Sequence, residues 1–257
     1  MARRESAGTG SERRLQWQRF VAAAAIGAGL AALGYWNSGR TLAAARKLNY
    51  SCNFSPKQMS DWTFPHAEDW VSKTEDGMTY LHMLRPRDPG VPRRPLQFAR
   101  LTNVNVGSFD LSVKTRREGR SMIIVFNYVD TLHFYYTHVS RDRGTVQPVH
   151  NGIFLVDGAP RRRIAGLEAQ PALPDTSWHT IRVVRNAETG LIQVYSDVQK
   201  GPLFSVVDHH FTCGQIGLGS FDETGDFTDF HLHSNDAGCT PKVPAARALL
   251  QWPQFQP

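Results

Sequence analysis

The sequence has 257 residues, of which 41% are hydrophobic and 20% are charged, and 29 Lys and Arg against 23 Asp and Glu give a formal net charge of +6. This balance excludes a disordered chain, and three cysteines exclude a disulfide-dense small scaffold. The length suits one large all-β domain or two small domains.

The positive charge is concentrated at the N-terminus. Residues 1–45 contain six arginines and two glutamates, a net charge of +4, which leaves only +2 for residues 46–257. The remainder of the chain is therefore nearly neutral, and it contains no motif typical of proteins that read DNA or RNA. We expect no nucleic-acid partner.

The N-terminal segment has the order of an export signal. An arginine-rich stretch precedes an uncharged run of 16 residues over 21–36, and Ala43-x-Ala45 permits cleavage after Ala45. One alternative is an uncleaved anchor with residues 20–36 in the membrane, although the uncharged run of 16 residues spans only about 24 Å of a roughly 30 Å hydrocarbon core. Another is a buried alanine-rich helix. Both export hypotheses place residues 46–257 in the periplasm, in the cell envelope (anchored in the inner membrane) or outside the cell.

From about residue 60 the sequence changes to short β-rich runs separated by turn residues. Phe109, Leu111 and Val113 alternate with polar residues, which is typical of a half-buried strand. Further strands are expected at Met122–Tyr128, Leu132–Ser140, Gly152–Val156, Trp178–Arg185, Leu191–Ser196, Pro202–Val207, Gln215–Phe221 and Phe227–Leu232. No stretch in this region has a convincing helical period.

About eleven short strands without intervening helices predict an all-β fold, an antiparallel β-sandwich. We expect a signal peptide or anchor over 1–45, a linker over 46–59, a single sandwich domain over 60–235 and an irregular tail over 236–257. The proline-rich segment Arg85–Leu96 is interpreted as a loop within the domain, because strands on both sides are needed to close the core.

The three cysteines are compatible with an oxidising compartment, but one must remain free or pair between chains. A disulfide between Cys52 and Cys239 is the preferred expectation, because it would tie the two tails together outside the core. Pairing of Cys52 with Cys213 is the alternative.

Three pairs of predicted strands resemble, in their residues, the paired strands of a known fold. The segments are Ile123–Asp130 with His133–His138, Trp178–Arg185 with Leu191–Asp197, and Gly214–Phe221 with Asp226–Phe230. They resemble the strands of concanavalin A-like (laminin G-like) jelly rolls, and in particular bacterial exported domains similar to 3-keto-disaccharide hydrolases. The resemblance implies a jelly-roll β-sandwich and a carbohydrate ligand.

Jelly rolls of this kind hold their ligand against a concave sheet, where aromatic faces and a few polar groups suit sugar rings. The candidate residues are His133, Tyr135, Tyr136, His138, His150 and Asn151. A sugar is expected to stack on Tyr135 or Tyr136, and a histidine near neutral pH can act as general acid or base. Because successive side chains of a strand point to opposite faces, at most half of these residues can meet a ligand.

Two further groups carry charge. Arg161 and Arg162, in a run of three arginines, could bind an acidic sugar or a sulfate through bidentate contacts, or form a solvated loop. Asp222, Asp226 and Asp229 offer the hard oxygen ligands that suit a structural Ca²⁺ ion. No cofactor is required by either hypothesis.

Two functions follow from these patterns. The first is an exported protein that binds or processes a carbohydrate on a jelly-roll face, in the manner of a glycoside hydrolase. The paired carboxylates of a Glu-x-Asp-x-x-Glu strand are absent, however, so an enzymatic role would rest on the resemblance alone. The second is a non-catalytic, membrane-anchored interaction module that binds a protein or a polymer.

Overall fold

The computed structural model describes residues 46–145 and 150–244, and the predicted apolar helix near the N-terminus lies outside this part of the chain. The described residues form fifteen β-strands and two short 3₁₀ helices, Gln58–Asp61 and Ala67–Asp69. None of their helices is long and apolar enough to cross a membrane. The strands are β1 (Arg46–Cys52), β2 (Trp62–Thr63), β3 (Trp70–Glu75), β4 (Met78–Met83), β5 (Phe98–Leu101), β6 (Phe109–Arg117), β7 (Ser121–Asp130), β8 (His133–Ser140), β9 (Gly152–Asp157), β10 (Arg162–Ala165), β11 (His179–Arg185), β12 (Leu191–Ser196), β13 (Phe204–Val207), β14 (Gln215–Gly219) and β15 (Gly225–Ala237).

The strands form two antiparallel sheets. One has eight strands in the order β13-β12-β11-β6-β15-β4-β3, with β1 also paired to β15. The other has seven strands in the order β10-β9-β8-β7-β14-β5-β2. The prediction of an all-β antiparallel sandwich is confirmed.

The core between the sheets follows from the alternation of apolar residues. Along β6 every second residue is buried, as predicted for a half-buried strand. Leu111 and Val113 of β6 and Ile181 of β11 belong to the same core cluster as Phe126 and Tyr135 of the seven-stranded sheet. The rings of Phe126 and Tyr135 stack with centroids 5.5 Å apart, which adds a specific aromatic contact to the burial of apolar area.

A second apolar cluster lies on the outer face of the seven-stranded sheet. Its members are Phe98, Ile123, Val125, Tyr128, Phe134, Tyr136, Phe154, Val156 and Phe221, and each is at most 7% exposed. This explains why β7 is buried on both faces from Ser121 to Tyr128, the pattern that predicts a central strand.

The proline-rich loop between β4 and β5 lies over this outer face. It extends from β5, near one edge of the sheet, to the opposite edge. There the Arg161 backbone N–H donates to the carbonyl oxygen of Arg93 at 2.9 Å. The Nε of Arg94 donates to the carbonyl oxygen of Thr131 in the β7–β8 turn at 2.5 Å. Arg94 and Pro95 are themselves buried. The interpretation of this segment as a loop of the domain is confirmed, and its role is to cover the sheet.

The expected linker over 46–59 is corrected by the structure. Its first half is β1, which pairs with β15 from Arg46 opposite Ala237 to Cys52 opposite Phe230. Leu48 packs against the core, and Cys52 is buried, so alternate residues of β1 face inward as in any half-buried strand. The domain therefore begins with β1 and extends beyond 235 to the end of β15.

The expected disulfides are also wrong. The bond joins Cys213 to Cys239, with Cα atoms 6.0 Å apart, and Cys52 is a buried free thiol. The reason lies in the segment before β6: the backbone of Val106 pairs with Gly214, and the carbonyl oxygen of Asn105 accepts from the N–H of Gly238. These bonds bring the residues next to the two cysteines to the same short stretch of backbone.

Loss of this disulfide is expected to destabilise the domain. Cross-linking residues 26 positions apart restricts the unfolded chain and contributes about 3 kcal/mol. The double variant C213S/C239S should therefore lose about 3 kcal/mol of the free energy of unfolding in urea. Cys52→Ala is the matched control and should leave the sensitivity of the domain to reductant unchanged. Equal stability of wild type and C213S/C239S would contradict the bond.

Candidate functional site

The outer face of the eight-stranded sheet carries a row of polar residues from three neighbouring strands. Strand register places Asp226 of β15 opposite Arg116 of β6 on one side and opposite His82 of β4 on the other. Trp178 directly precedes β11, whose first residue His179 pairs with Thr115, so Trp178 lies beside Arg116 at the end of this row. Pairing between distant strands thus brings the side chains of Trp178, Arg116, Asp226 and His82 together.

Asp226 is the centre of the row. It is 1% exposed, and both of its carboxylate oxygens have partners. Nδ1 of His82 lies 2.7 Å from Oδ1, and Nε of Arg116 donates to Oδ2 at 2.5 Å. A second contact joins Arg116 to Glu75 at 3.1 Å. A buried carboxylate needs such partners because its desolvation is otherwise costly, so Asp226 and Arg116 hold each other in place.

Two aromatic rings enclose the Arg116 guanidinium group. Its central carbon lies 4.8 Å from the ring centroid of Trp178 and 5.0 Å from that of Tyr80. The two rings meet edge to face, with centroids 5.7 Å apart. Burial, together with repulsion from the Glu75 and Asp226 carboxylates, raises the pKa of Tyr80, so its hydroxyl remains a neutral hydrogen-bond donor.

Solvent reaches the site from the sheet surface. Trp178 is half-buried, Glu118 is exposed, and the Glu75 side chain is 55% exposed. We call this group the Trp178 site; its members are Glu75, Tyr80, His82, Arg116, Glu118, Trp178 and Asp226. It offers an aromatic surface, a cation that is already held in place, and carboxylates that can accept hydrogen bonds.

The predicted calcium ligands do not come together. Asp226 belongs to the Trp178 site, Asp229 pairs with Lys114 at 2.9 Å, and Asp222 is exposed after β14. Within 46–145 and 150–244, the three residues whose ligand atoms lie within 4.8 Å of one another are His82, Glu118 and Asp226. Arg116 occupies one oxygen of Asp226, so this group does not fit a cation well.

Four of the other candidates meet on the outer face of the seven-stranded sheet. The rings of His138 and His150 lie 5.6 Å apart, and Nη1 of Arg161 donates to the hydroxyl of Tyr136 at 2.7 Å. The same Nη1 lies 3.3 Å from Nδ1 of His138, whose Nε2 lies 2.8 Å from Oγ of Ser121. Tyr136, His138 and His150 of the predicted aromatic and histidine cluster therefore lie together, and Arg161 of the separate arginine run joins them.

The remaining candidates are dispersed. His133 lies at the other end of β8, where its Nδ1 is 2.8 Å from the Asp130 carboxylate. Asn151 is fully buried, bonded to backbone atoms of Ser140 and Gln170, and Arg162 is exposed at the start of β10.

Neither tyrosine can stack on a sugar, which corrects the expectation for Tyr135 and Tyr136. Both are 0% exposed. Tyr135 faces the core between the sheets, with its hydroxyl donating to Asp208, and Tyr136 lies under the loop that covers the opposite face. In a sandwich of two sheets, an aromatic strand is buried on both sides when the outer face of its sheet is also covered.

The sequence did not reveal the Trp178 site. Its residues come from separate segments near 75–82, 116–118, 178 and 226, which only the pairing of non-consecutive strands joins. Trp178 was visible as the start of a strand, and Asp226 as a possible calcium ligand. Their mutual position depends on register, which no local pattern specifies.

Comparisons with known proteins support the fold. No protein-family model and no curated protein matches this sequence. Among solved structures, the carbohydrate-binding module CBM66 from Bacillus subtilis has a TM-score of 0.50 and 15% identity, covering 68% of this chain and 96% of that chain. A B. subtilis protein of unknown function with a galectin-like fold has a TM-score of 0.47 and 11% identity over 73% of this chain and 95% of its own. Lectin I-B4 from Griffonia simplicifolia has a TM-score of 0.43 and 7% identity, covering 75% of this chain and 100% of the lectin. The chain has the concanavalin A-like jelly-roll fold that its sequence predicts.

Proposed function

We propose that this protein binds a carbohydrate at the Trp178 site. The observation that carries the proposal is the partly exposed Trp178 ring beside the fixed Arg116 guanidinium, with Glu75 and Glu118 at its margin. The C–H face of a sugar ring packs on an aromatic ring, and its hydroxyl groups donate hydrogen bonds to carboxylates. Both kinds of contact are offered here on one sheet surface.

The choice of sheet rests on access. The outer face of the seven-stranded sheet is occupied by its own covering loop, and its aromatic rings are buried. The outer face of the eight-stranded sheet carries exposed polar side chains and a partly exposed tryptophan. A ligand as large as a saccharide needs the second kind of surface.

The fold comparison supports the ligand class. The solved structure with a TM-score of 0.50 is named as a carbohydrate-binding module. At 15% identity this similarity supports the fold, and the Trp178 site supplies the argument for a sugar on this chain.

Binding is favoured over hydrolysis by the state of the carboxylates. A glycosidase of the usual kind needs two carboxyl groups flanking the scissile bond, one of them as a proton donor. Here both oxygens of Asp226 are engaged by His82 and Arg116, and Glu75 is paired with Arg116. Glu118 accepts a hydrogen bond from the Thr224 hydroxyl. This arrangement suits recognition of a hydroxylated ligand.

We further propose that the protein acts outside the cytoplasm, held in the envelope or released. The basic and apolar N-terminal sequence motivates this location. The Cys213–Cys239 disulfide supports it, because disulfides persist in oxidising compartments. Edman sequencing of the exported protein separates the alternatives: a start at Arg46 supports cleavage, and a start at Met1 supports an anchor.

Replacement of Trp178 is expected to remove sugar binding. A glycan array identifies the oligosaccharide, and calorimetry measures its affinity for wild type, Trp178→Ala and Tyr195→Ala. Loss of the Trp178 ring should weaken binding at least tenfold, or by about 1.4 kcal/mol. Tyr195 of β12 is the matched control, since its half-buried ring lies under the guanidinium group of Arg182. An array without a bound glycan, or full affinity in Trp178→Ala, would refute the proposal.

Replacement of Asp226 is expected to lower both stability and affinity. Asp226→Asn removes the charge that holds Arg116 beside Trp178, and the loss of charged hydrogen bonds in a buried position should cost about 2 kcal/mol of the free energy of unfolding. Asp110→Asn is the control, because Asp110 pairs with Arg182 on the exposed surface of the same sheet and should change stability by less than about 0.5 kcal/mol. Urea unfolding measures the stability of both variants, and similar losses in the two would contradict the role of Asp226.

A further inference from the structure

Two arginines share one aromatic ring on the opposite sheet. The guanidinium carbon of Arg161 lies 3.9 Å from the centroid of the Phe221 ring, and that of Arg93 lies 4.9 Å from the same centroid. Arg161 also lies 5.0 Å from the centroid of Phe154. Arg93 comes from the covering loop and Arg161 from the segment before β10, and a backbone hydrogen bond joins them. Two positive charges are thus held close together over an apolar floor.

Neither charge is neutralised by a carboxylate of the described chain. Within 46–145 and 150–244, the arginines in ion pairs are Arg85, Arg87, Arg116, Arg120 and Arg182. Arg93 and Arg161 are absent from this set. Asp222 follows Phe221 in the chain, but its carboxylate is not within ion-pair distance of either guanidinium group.

The two terminal nitrogens of the Arg161 guanidinium group differ in their hydrogen bonding. Nη1 donates to the hydroxyl of Tyr136 at 2.7 Å. Burial raises the pKa of Tyr136, although the guanidinium groups of Arg161 and Arg93 act in the opposite direction, so this hydroxyl stays a neutral acceptor. Nη2 is shielded from solvent and has no hydrogen-bond partner among the described residues. A buried donor on a cation is costly to leave unpaired, so this position favours a strong acceptor.

We propose that Arg161 and Arg93 form a binding site for an anionic oxygen group: a carboxylate, sulfate or phosphate. Guanidinium groups bind such oxygens through parallel N–H donors, and low hydration makes arginine the preferred cation for this contact. Phe221 and Phe154 fix the plane of the Arg161 guanidinium group, and Tyr136 fixes its rotation. Arg93, one of the two cations, is exposed.

The site is independent of the Trp178 site, which lies on the other sheet. Its ligand can be a free inorganic anion or the charged group of an acidic saccharide, and the two sources share the same chemistry at Arg161. An acidic saccharide would add contacts of its sugar ring, so it should bind more tightly than the free ion.

The test is a titration of the full-length protein with sodium sulfate, phosphate or glucuronate, at ionic strength held constant with chloride, followed by NMR. Glucose serves as the uncharged reference for glucuronate. Wild type should give saturable shifts with at least one of the anions and none at these residues with glucose. Tighter binding of glucuronate than of sulfate and phosphate identifies an acidic saccharide as the source, and the reverse order identifies a free anion.

The variants locate the site. Arg161→Gln and Arg93→Gln should each weaken anion binding at least tenfold. Arg162→Gln is the matched control, because Arg162 is the exposed neighbour of Arg161, and it should bind like wild type. Arg93→Gln keeps the test valid if Arg161→Gln unfolds, since Arg93 lies on an exposed part of the loop. Trp178→Ala should leave anion binding intact, which separates this site from the proposed sugar site. The proposal is overturned if none of the three anions binds saturably, or if Arg162→Gln weakens anion binding as much as Arg161→Gln does.

Discussion

The pairing of β15 with three different strands is the constraint on which the rest of the structure depends. β15 bonds to β6 along one edge, while its other edge pairs first with β4 at Asp226 and Phe227 and then with β1 from Phe230 onward. Register shifts between Thr228 and His231, where Asp229 adopts a positive φ of 53°. An aspartate tolerates this conformation better than most residues, so the irregularity can sit at the point where the partner strand changes.

This exchange of partners has two consequences. It sets Asp226 between Arg116 and His82, which fixes the cation beside Trp178. It also incorporates β1, so the N-terminal part of the domain is held by the last strand of the fold. The Cys213–Cys239 bond then ties the end of β15 to the segment before β14.

The two outer faces of the sandwich have opposite characters. The seven-stranded sheet buries its aromatic residues under a loop, and two arginines share one of the rings there. The eight-stranded sheet leaves its outer face to solvent and lines it with ion pairs around one tryptophan. A neutral sugar suits the outer face of the eight-stranded sheet, and an anionic group suits that of the seven-stranded sheet. The two outer faces of one jelly roll can thus bind ligands of different charge.

Local patterns predicted much of this architecture, because the alternation of Phe109, Leu111 and Val113 and the fully apolar run of β7 report burial directly. They did not predict which distant residues meet. Tyr135 and Tyr136 looked like a ligand surface, but Tyr135 faces the core between the sheets, and no local pattern shows that a loop 40 residues earlier covers Tyr136. Cys52 was assigned to a disulfide for a similar reason: the proximity of Cys213 and Cys239 depends on backbone bonds to Asn105 and Val106. Tyr136, His138 and His150 were grouped from the sequence, whereas the contact of Arg161 with Tyr136 and His138 was not predicted, because it depends on the pairing of β10 with β9.

The most direct measurement of the central claim is a map of where a sugar touches the protein. Uniformly ¹⁵N-labelled protein is titrated with the oligosaccharide that binds most tightly on a glycan array, and shifts are followed for backbone amides, the tryptophan indole N–H groups and the arginine side chains. The largest shifts are predicted at the indole of Trp178 and the Nε–H of Arg116, with smaller ones along β4 and β15. Shifts centred on the outer face of the seven-stranded sheet, or a Trp178 indole signal that does not move at saturation, would contradict the assignment of the sugar site.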